Sequence, residues 1–489
     1  MNSISTKRHS RTNIRHRLPA VILAGLSSAA LVHGAGDSPN IILIMADDLG
    51  YGDTGFTGNT FIRTPCLDSL SREGVTLDRF YTAAPVSSPT RASVMTGRHP
   101  SRMGVFNANV GILRPEETTI AEILKNAGYA TGFFGKWHLG SLTHTERDAN
   151  RGKPGNLKDY NPPHLHGFDT FFATESKVPT WDPMKKPAHD ASGKGWKYIE
   201  EGEEWVSYGT SYFNAPQQKE TGNLDGDDSR VIMDRAIEYI GGNIDQAQPF
   251  LAVIWFHAPH LPVVAGPEFR EAYSGTELER NYAGSISAMD MQIGRLADFL
   301  REQGQDGNTL IFFCSDNGPE KGTPGSSGMF RERKFSLHEG GIRVASFALW
   351  PGHTDSGHSD VPCSTCDYLP TICEITGCGF PDHVLDGKSI APALLGKGRQ
   401  EQKPMGFVYQ DSHAMIDGRY KLLTVRDSTS LYDIQADPSE TTDISASRKG
   451  ILKKMTRMYE KFISSCKASF EGKEYGTESA ERMGQTWKY

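Results

Sequence analysis

The segment NIILIMADD, residues 40–48, decides the fold, because an almost unbroken apolar run is followed at once by two aspartates. Such a run is typical of a strand buried on both faces, as strands are in parallel sheets covered by helices. Three later segments repeat the pattern: residues 129–134 lead into GKWH, residues 250–256 into HAPH, and residues 309–314 into SDNG. In open α/β sheets ligands bind at the carboxyl ends of the strands, so we expect these polar residues to meet at one edge.

Helical patterns separate these apolar segments, at residues 64–74, 118–126, 228–240 and 281–303. Gly74 and Gly241 follow the last helical residues of the first and third patterns. Alternating strands and helices predict an α/β fold, an α/β/α sandwich around a large mixed, mainly parallel sheet.

The C-terminal part is predicted to form a smaller domain. We expect a short antiparallel sheet that includes strands at residues 406–410 and 420–425, followed by a helix over residues 449–466. The predicted division is therefore residues 36–397 for the large domain and 398–489 for the C-terminal subdomain, within the one-large-plus-one-small range that 489 residues allow.

The N-terminal residues 1–34 contain five basic and no acidic residues, an apolar run over residues 18–32 and small residues at its end. This pattern predicts a secretory signal peptide, with a membrane anchor as the alternative, and hence an exported protein, periplasmic or secreted. No later segment is apolar and long enough for a membrane span. Removing the five basic residues takes the net charge from −7 to −12, which argues against nucleic acid as a partner.

Four of the seven cysteines lie close together, at Cys363, Cys366, Cys373 and Cys378. A zinc site or one disulfide is possible. The alternative, which we favour, is that Cys366 and Cys373 occupy the buried face of a helix as small hydrophobic residues.

Residues 87–98 read SSPTRASVMTGR. Ser88 suits a helix N-cap, Pro89 the first helical position and Gly97 the helix end. This places Ser87 just before a helix N-terminus, where unpaired N–H groups and the helix dipole favour an anion. Taken alone, the same residues could simply cap a surface helix.

This segment resembles the hallmark of the type I sulfatases, Cys/Ser-x-Pro-Ser/Thr-Arg-x-x-x-Leu/Met-Thr-Gly-Arg/Lys. Further blocks resemble that family in chain order: GKWHLG at residues 135–140, HAPH at 257–260, Lys334 with EGGIRV at 339–344, and LYDI with Asp-Pro and Glu at 431–440. Five ordered matches span nearly all of the chain that follows the leader. The resemblance implies the fold shared with alkaline phosphatase.

The resemblance also implies a mechanism. In this family the first motif residue, here Ser87, is oxidised to Cα-formylglycine, whose hydrate attacks sulfur. Oxygen-only pairs at strand ends suit Ca²⁺ or Mg²⁺, although either pair alone would more often be a turn or a cap. The family has such pairs as ligands of one Ca²⁺, which gives the predicted metal ligands Asp47, Asp48, Ser87, Asp316 and Asn317. The implied catalytic residues are Ser87, Arg91 and Lys136 at the hydrate and sulfate, Lys334 at the sulfate, His138 as base and His257 as acid.

A serine at position 87 implies, within this family, maturation by a serine-type radical SAM sulfatase-maturating enzyme. An insert at about residues 142–223 resembles one in some sulfatases that act on sulfated galactose-containing glycans, so the expected substrate is a sulfated saccharide, a host or algal glycan. Trp181 could stack on a sugar or pack under its own loop. The pocket-wall candidates are Glu175, Trp181, His260, Asp411 and His413.

Two other functions stay open from the sequence. A phosphatase or phosphodiesterase of the same superfamily would use an unmodified Ser87 against phosphorus, usually with two zinc ions and several histidine ligands. A non-catalytic glycan-binding homologue would also keep Ser87 unmodified.

Overall fold

A ten-stranded mixed sheet with helices on both faces forms the centre of this computed structural model. The structure describes residue 1 and residues 38–489 except 190, 399, 477, 480, 482 and 483, so the predicted leader lies outside the described residues. Among the described residues, no helix is long and apolar enough to cross a membrane.

The strands include all four that the apolar runs predict. In chain order they are β1 Asn40–Ala46, β2 Val75–Leu77, β3 Phe80–Tyr81, β4 Ala130–Lys136, β5 Thr170–Thr174, β6 Lys185–Pro187, β7 Trp205–Ser207, β8 Tyr212–Ala215, β9 Gln218–Glu220, β10 Phe250–Trp255, β11 Thr309–Ser315, β12 Ser346–Leu349, β13 Gly357–Ser359, β14 Cys363–Ser364, β15 Met405–Tyr409, β16 Ser412–Asp417, β17 Tyr420–Val425 and β18 Ser428–Asp433.

The predicted strands are the four central neighbours of the large sheet, whose order is β13-β2-β12-β11-β1-β10-β4-β5-β8-β9. The pairs β11–β1, β1–β10 and β10–β4 are parallel, whereas β12, β2 and β8 bring antiparallel pairings at the two sides. The expected mixed, mainly parallel sheet is confirmed.

The helices cover both faces of this sheet. They are α1 Pro65–Glu73, α2 Ser87–Thr96, α3 Ile120–Asn126, α4 Asp228–Asp245, α5 Pro267–Arg270, α6 Glu277–Glu302, α7 Glu339–Ile342, α8 Tyr368–Thr376, α9 Ala391–Leu394 and α10 Lys449–Phe470. Successive residues of β1 alternate between two cores: Ile41 and Leu43 pack with α2, α3 and α8, and Ile42 and Ile44 with α1, α4 and α6. This alternation explains why the strand is apolar at every position.

Several helix boundaries differ from the prediction, among them the start of α6 at Glu277 rather than at residue 281. The helix predicted to stop before Gly241 continues to Asp245, because a helical glycine costs only about 1 kcal/mol and packing against α6 outweighs it. Helix α2 begins at Ser87 itself, with Val86 in the N-cap position, so Ser88 is not the cap. The Ser88 hydroxyl instead donates to the His138 carbonyl at 2.6 Å. Gly97 ends the helix with φ of 68°, as predicted.

The C-terminal part contains the antiparallel sheet β15-β16-β17-β18 and the long helix α10, close to the predicted bounds. Helix α10 packs on one face of this sheet and the large domain on the other. The boundary at residue 398 stays a prediction. All seven cysteines are free in the structure, and Cys366 and Cys373 are buried as expected for the hydrophobic interpretation.

A buried ionic cluster joins the small sheet to the large domain. The Lys421 ammonium, fully buried on β17, lies 2.9 Å from Glu339 and 2.9 Å from Glu440. Tyr81 donates its hydroxyl to the other Glu339 oxygen at 2.9 Å, and the Glu339 N–H donates to Glu440 at 2.8 Å. Each carboxylate is thus compensated in a place that water does not reach, which buried charge requires.

We predict that Lys421→Met destabilises the protein by about 3–5 kcal/mol, because Glu339 and Glu440 would stay buried without the ammonium that contacts both of them. Denaturant unfolding of the full chain measures this. The matched control is Lys454→Met, whose ammonium is exposed beside Asp417 and should change stability by less than about 0.5 kcal/mol. Equal effects of the two changes would contradict the role given to Lys421.

Candidate active site

Strand ends of the central sheet bring the polar motifs together. The end of β1 carries Asp47 and Asp48, and the end of its neighbour β11 carries Asp316 and Asn317. On the other side, β10 leads into the HAPH segment and β4 ends at Lys136. The predicted meeting of these residues at one sheet edge is what the fold produces.

Three aspartates and an asparagine form a compact buried group, in which each residue is at most 1% exposed. The Asp48 N–H donates to Asp316 at 3.0 Å, and the Asn317 amide donates to Asp48 at 2.7 Å. The Ser87 hydroxyl, at the start of α2, donates to Asp47 at 3.2 Å. We call Asp47, Asp48, Asp316 and Asn317 the carboxylate cluster.

Three cations surround this cluster. The Arg91 guanidinium bridges Asp316 at 3.1 Å and Asp47 at 3.5 Å, Lys136 donates to Asp47, and Lys334 donates to Asp48 at 2.8 Å. Three positive charges thus face three carboxylates in a region closed to water. Because the three carboxylates already balance these cations, a bound divalent cation is what would leave net positive charge for an entering anion.

The pKa values of Asp47 and Asp316 shift in opposite directions, because the two carboxylates share the same positive charges. Burial tends to raise the pKa of Asp47, but Lys136, His260 and Arg91 hold it well below its usual range. For Asp316, burial and the Asp47 charge raise the pKa to about 7. A bound cation would relieve this repulsion and favour the charged form of Asp316.

The donor atoms fit a hard divalent cation. The Asn317 side-chain oxygen is buried and accepts no hydrogen bond, although its amide nitrogen is fully used. Ligand atoms of Asp47, Asp48 and His260 lie within 4.8 Å of one another. Carboxylate and amide oxygens are the ligands that Ca²⁺ or Mg²⁺ prefers, so the residues fit the predicted ion.

His138 faces the same region with one ring nitrogen fixed. Its Nε2 lies 3.0 Å from the Asn109 side-chain oxygen, whereas its Nδ1 is buried without a hydrogen-bond partner. Because the Asn109 oxygen can only accept, Nε2 carries the proton and Nδ1 keeps a free lone pair. Burial and the nearby Lys136 and Arg151 hold the pKa of His138 well below its usual range, so the ring is neutral and can accept a proton.

His257 does not lie where its predicted role as acid requires. The ring is fully buried, with Nδ1 2.8 Å from Asp228 and Nε2 2.8 Å from the Thr174 hydroxyl. Both ring nitrogens of His257 are therefore already hydrogen-bonded within the protein. Three residues later, His260 keeps 13% of its side chain exposed and places Nε2 3.6 Å from Asp48. Of these two histidines, His260 is thus the one whose ring reaches both the carboxylate cluster and solvent.

Two of the other pocket-wall candidates, Glu175 and His413, contact side chains of the protein itself. Glu175 is fully buried, pairs with Arg151 at 3.3 Å, and has its pKa raised by burial to about 7. His413 stacks on Tyr459 of α10, with ring centroids 4.1 Å apart, so it faces that helix.

The remaining two candidates lie outside the carboxylate cluster. Trp181 packs on Gly266, where a Cβ atom would come within 2.2 Å of the indole, so the ring packs against a loop. Asp411 is exposed in the turn between β15 and β16 and lies 3.5 Å from Arg426.

Sequence reasoning missed three residues around the site. Asn109 orients His138, Glu320 accepts a second bond from Lys334 at 2.8 Å, and Arg151 donates to the His138 carbonyl at 3.4 Å. Glu320 follows the SDNG segment closely and could have been suspected from that. Asn109 and Arg151 lie in loops without periodic pattern, where nothing local marks them.

Comparisons with known proteins agree with this geometry. A family model described as Sulfatase matches residues 39–378. Bovine arylsulfatase A is 32% identical over 446 residues, covering 86% of this chain and 80% of that protein. Pig N-acetylgalactosamine-6-sulfatase is 32% identical over 426 residues, covering 82% of this chain and 74% of that protein.

Solved structures share the architecture. Ps i-CgsB in complex with k-i-k-neocarrahexaose has a TM-score of 0.73 and 28% identity, covering 87% of this chain and 92% of that one. Phosphonate monoester hydrolase of Agrobacterium radiobacter has a TM-score of 0.60 at 21% identity, covering 88% of this chain and 95% of that one, which is a likeness of fold alone. The family model and the curated relatives, together with the motif residues gathered at the sheet edge, show that this chain belongs to the sulfatase family.

Proposed function

We propose that this sulfatase removes sulfate from a sulfated carbohydrate, with a Cα-formylglycine made from Ser87 and one Ca²⁺ held by Asp47, Asp48, Asp316, Asn317 and residue 87. The observation that carries the proposal is the Ser87 hydroxyl placed against Asp47 in a buried cluster with three cations. The curated relatives are named as sulfatases of several substrates, which supports the reaction but leaves the sugar open.

Two groups would add chemistry that serine lacks. A formylglycine hydrate at residue 87 would supply an oxygen nucleophile and a second hydroxyl on the same carbon. A bound Ca²⁺ would supply positive charge beside that nucleophile and beside the sulfate oxygens.

The protein's own cations bind and orient the sulfate. Lys136 and Lys334 reach the cluster from opposite sides, one on Asp47 and the other on Asp48. Arg91 is held by the carbonyl of Lys136 at 3.0 Å and lies over the Trp255 ring at 5.0 Å, so its position is fixed before substrate arrives. Charge that is positioned in advance stabilises a transition state without further reorganisation.

The two histidines divide the proton transfers. His138, neutral with a free Nδ1, suits the base that takes a proton at residue 87. His260, at the accessible side of Asp48, suits the donor to the departing sugar oxygen. Burial and Lys136 lower the pKa of His260 well below its usual value in the free protein, and an arriving anionic sulfate opposes that effect.

The proposed function also requires oxidation of Ser87 and export of the chain. A serine-type radical SAM enzyme would oxidise Ser87, and the basic, apolar leader would direct the chain to the periplasm or the medium. The galactose-type insert and the carbohydrate sulfatases among the relatives both support a galactose-containing glycan as substrate.

We predict that Asp316→Asn weakens Ca²⁺ binding by at least about 10-fold, because the cluster loses a charge that the ion compensates. Isothermal titration calorimetry of the metal-free full chain measures the dissociation constant directly, without reliance on activity. The control Asp360→Asn changes an exposed carboxylate and should bind as the wild type does. An unchanged dissociation constant for Asp316→Asn, or no Ca²⁺ binding by the wild type, would show that the cluster is not a calcium site.

We predict that Ser87→Ala abolishes sulfate release while the chain keeps its fold, because no aldehyde can form. Wild type expressed with a serine-type maturating enzyme should show a Ser87 peptide lighter by two hydrogens and should be active, whereas wild type without it should be nearly inactive. Ser87→Cys should become active only in a host that converts cysteine. Peptide mass spectrometry and sulfate release from sulfated sugars are measured together, and full turnover by unconverted protein would favour the serine-nucleophile phosphatase mechanism instead.

We predict that His260→Asn lowers kcat on a sugar sulfate by about 10²–10⁴-fold, because the alkoxide leaving group needs a proton. With 4-nitrophenyl sulfate the loss should be much smaller, since nitrophenolate departs without protonation. His257→Gln should slow both substrates equally, because His257 only supports the fold around Thr174 and Asp228. If His257→Gln, rather than His260→Asn, affects the sugar sulfate selectively, the two assignments must be exchanged.

A further inference from the structure

A large open cleft lies between the segment 321–338 and the β15–β18 sheet, and it meets the carboxylate cluster through Phe335, whose ring centroid lies 5.2 Å from the Lys334 ammonium. Its volume is about 1070 Å³, and its lining includes Phe335, His338, Tyr409, Gln410, Asp411 and Arg426. The roles proposed for the catalytic residues use none of these six side chains. The cleft joins the two domains, because its walls come from both.

Phe335 is the most unusual residue of this cleft. Its side chain is 43% exposed, and its φ of 70° is one that bulky side chains rarely adopt. The Phe335 N–H donates to the Pro85 carbonyl at 3.0 Å, just ahead of the Ser87 motif, which fixes this conformation. A bulky residue at a positive φ costs free energy that its surroundings must offset, and such residues concentrate at functional sites.

The surroundings of Phe335 present its ring next to the reaction centre. The ring is stacked near Tyr409, with centroids 6.4 Å apart and planes 23° apart. The preceding residue, Lys334, reaches back to Asp48 at 2.8 Å, so the aromatic ring directly follows a sulfate-binding residue. A ligand that enters the carboxylate cluster therefore has this aromatic surface beside it.

The cleft is lined by as many acidic residues as lysines and arginines. This balance bears on the kind of ligand that it can bind. Lys321 pairs with Glu332 at 3.7 Å, Arg426 pairs with Asp411 at 3.5 Å, and the remaining lining charges include one more base and one more acid, Arg331 and Asp427. A polyanion would meet as much repulsion as attraction there. An aromatic ring surrounded by amide, hydroxyl and paired charged groups instead suits an uncharged saccharide.

We propose that this cleft is a subsite for a neutral sugar of the same glycan chain, which stacks on Phe335 while a sulfated sugar occupies the carboxylate cluster. The inference rests on the proposed function for the identity of the second sugar. It makes the enzyme selective for sulfated oligosaccharides over sulfated monosaccharides, through contacts remote from the reacting sulfur.

The first test is binding of sugars that carry no sulfate, so that hydrolysis plays no part. Desulfated carrageenan tetrasaccharide and fucan tetrasaccharide are titrated into the full chain and followed by saturation-transfer NMR and calorimetry. We expect the wild type to bind at least one of them and Phe335→Gly to bind it about 10-fold more weakly. Phe335→Trp should retain binding.

Two variants separate loss of the subsite from loss of stability and from the general effect of removing an exposed phenylalanine. Phe335→Gly suits a φ of 70°, so its thermal stability should not fall below that of the wild type. Phe380→Ala removes another exposed phenylalanine, 56% exposed, outside the cleft and should leave binding unchanged. No binding by the wild type, or equal binding by the wild type and Phe335→Gly, overturns the proposal.

The second test is kinetic. The ratio of kcat/KM for a sulfated tetrasaccharide to kcat/KM for the matching monosaccharide sulfate should fall about 10-fold in Phe335→Gly. An equal loss on both substrates would mean that Phe335 only positions Lys334, and would overturn the subsite. A protein that binds the desulfated sugars but hydrolyses no sulfate would refute the proposed function and leave the subsite standing.

Discussion

The rest of this structure depends on one constraint: carboxylates buried away from water must be compensated by nearby positive charges. Three carboxylates stand within contact of one another at the ends of β1 and β11, and isolated charges in such surroundings would neutralise or destabilise the fold. Arg91, Lys136 and Lys334 compensate them, and each comes from a different part of the chain. The parallel register that pairs Ala46 with Ser315 places both acidic motifs at the same height. The sheet thus serves to hold like charges closer together than they would remain on their own.

The segment from Lys334 to Glu339 links this centre to the second domain. Lys334 is fixed at Asp48, and five residues later Glu339 is fixed at Lys421 of the small sheet. Just after Glu339 the chain folds back on this segment. A Cβ atom at Gly341 would lie only 2.0 Å from the Ser336 carbonyl oxygen. This explains why two glycines follow Glu339, and it couples the position of Lys334 at the carboxylate cluster to the docking of the C-terminal sheet. The small domain is therefore part of the active site's support.

The fold alone does not choose between sulfate and phosphorus chemistry, because a phosphonate monoester hydrolase shares it. The side chains at the sheet edge carry the distinction. Zinc phosphatases of this superfamily need several histidine ligands, whereas the group that the described residues offer contains two aspartates and one histidine. The cations around it suit a strongly anionic ester. Sulfatase family membership follows from both lines, the relatives and the local chemistry.

The sequence by itself determined the central sheet and most of the site. Short continuous apolar runs followed by polar residues indicated parallel strands buried on both faces, whose carboxyl ends meet at one edge. Asp47, Asp48, Asp316 and Asn317 were therefore predicted correctly as neighbours. It did not determine which histidine of HAPH lies near Asp48, because His257 and His260 are both followed by x-Pro. Only the contacts of His257 with Asp228 and Thr174 distinguish the two rings. Nor could it find Asn109, which meets His138 from another loop of the large domain, or the strained Phe335, which meets Tyr409 of the small sheet. Strand burial is encoded by the local pattern of residues, whereas the direction of a loop side chain depends on partners far away in the chain, and these exist only in the folded protein.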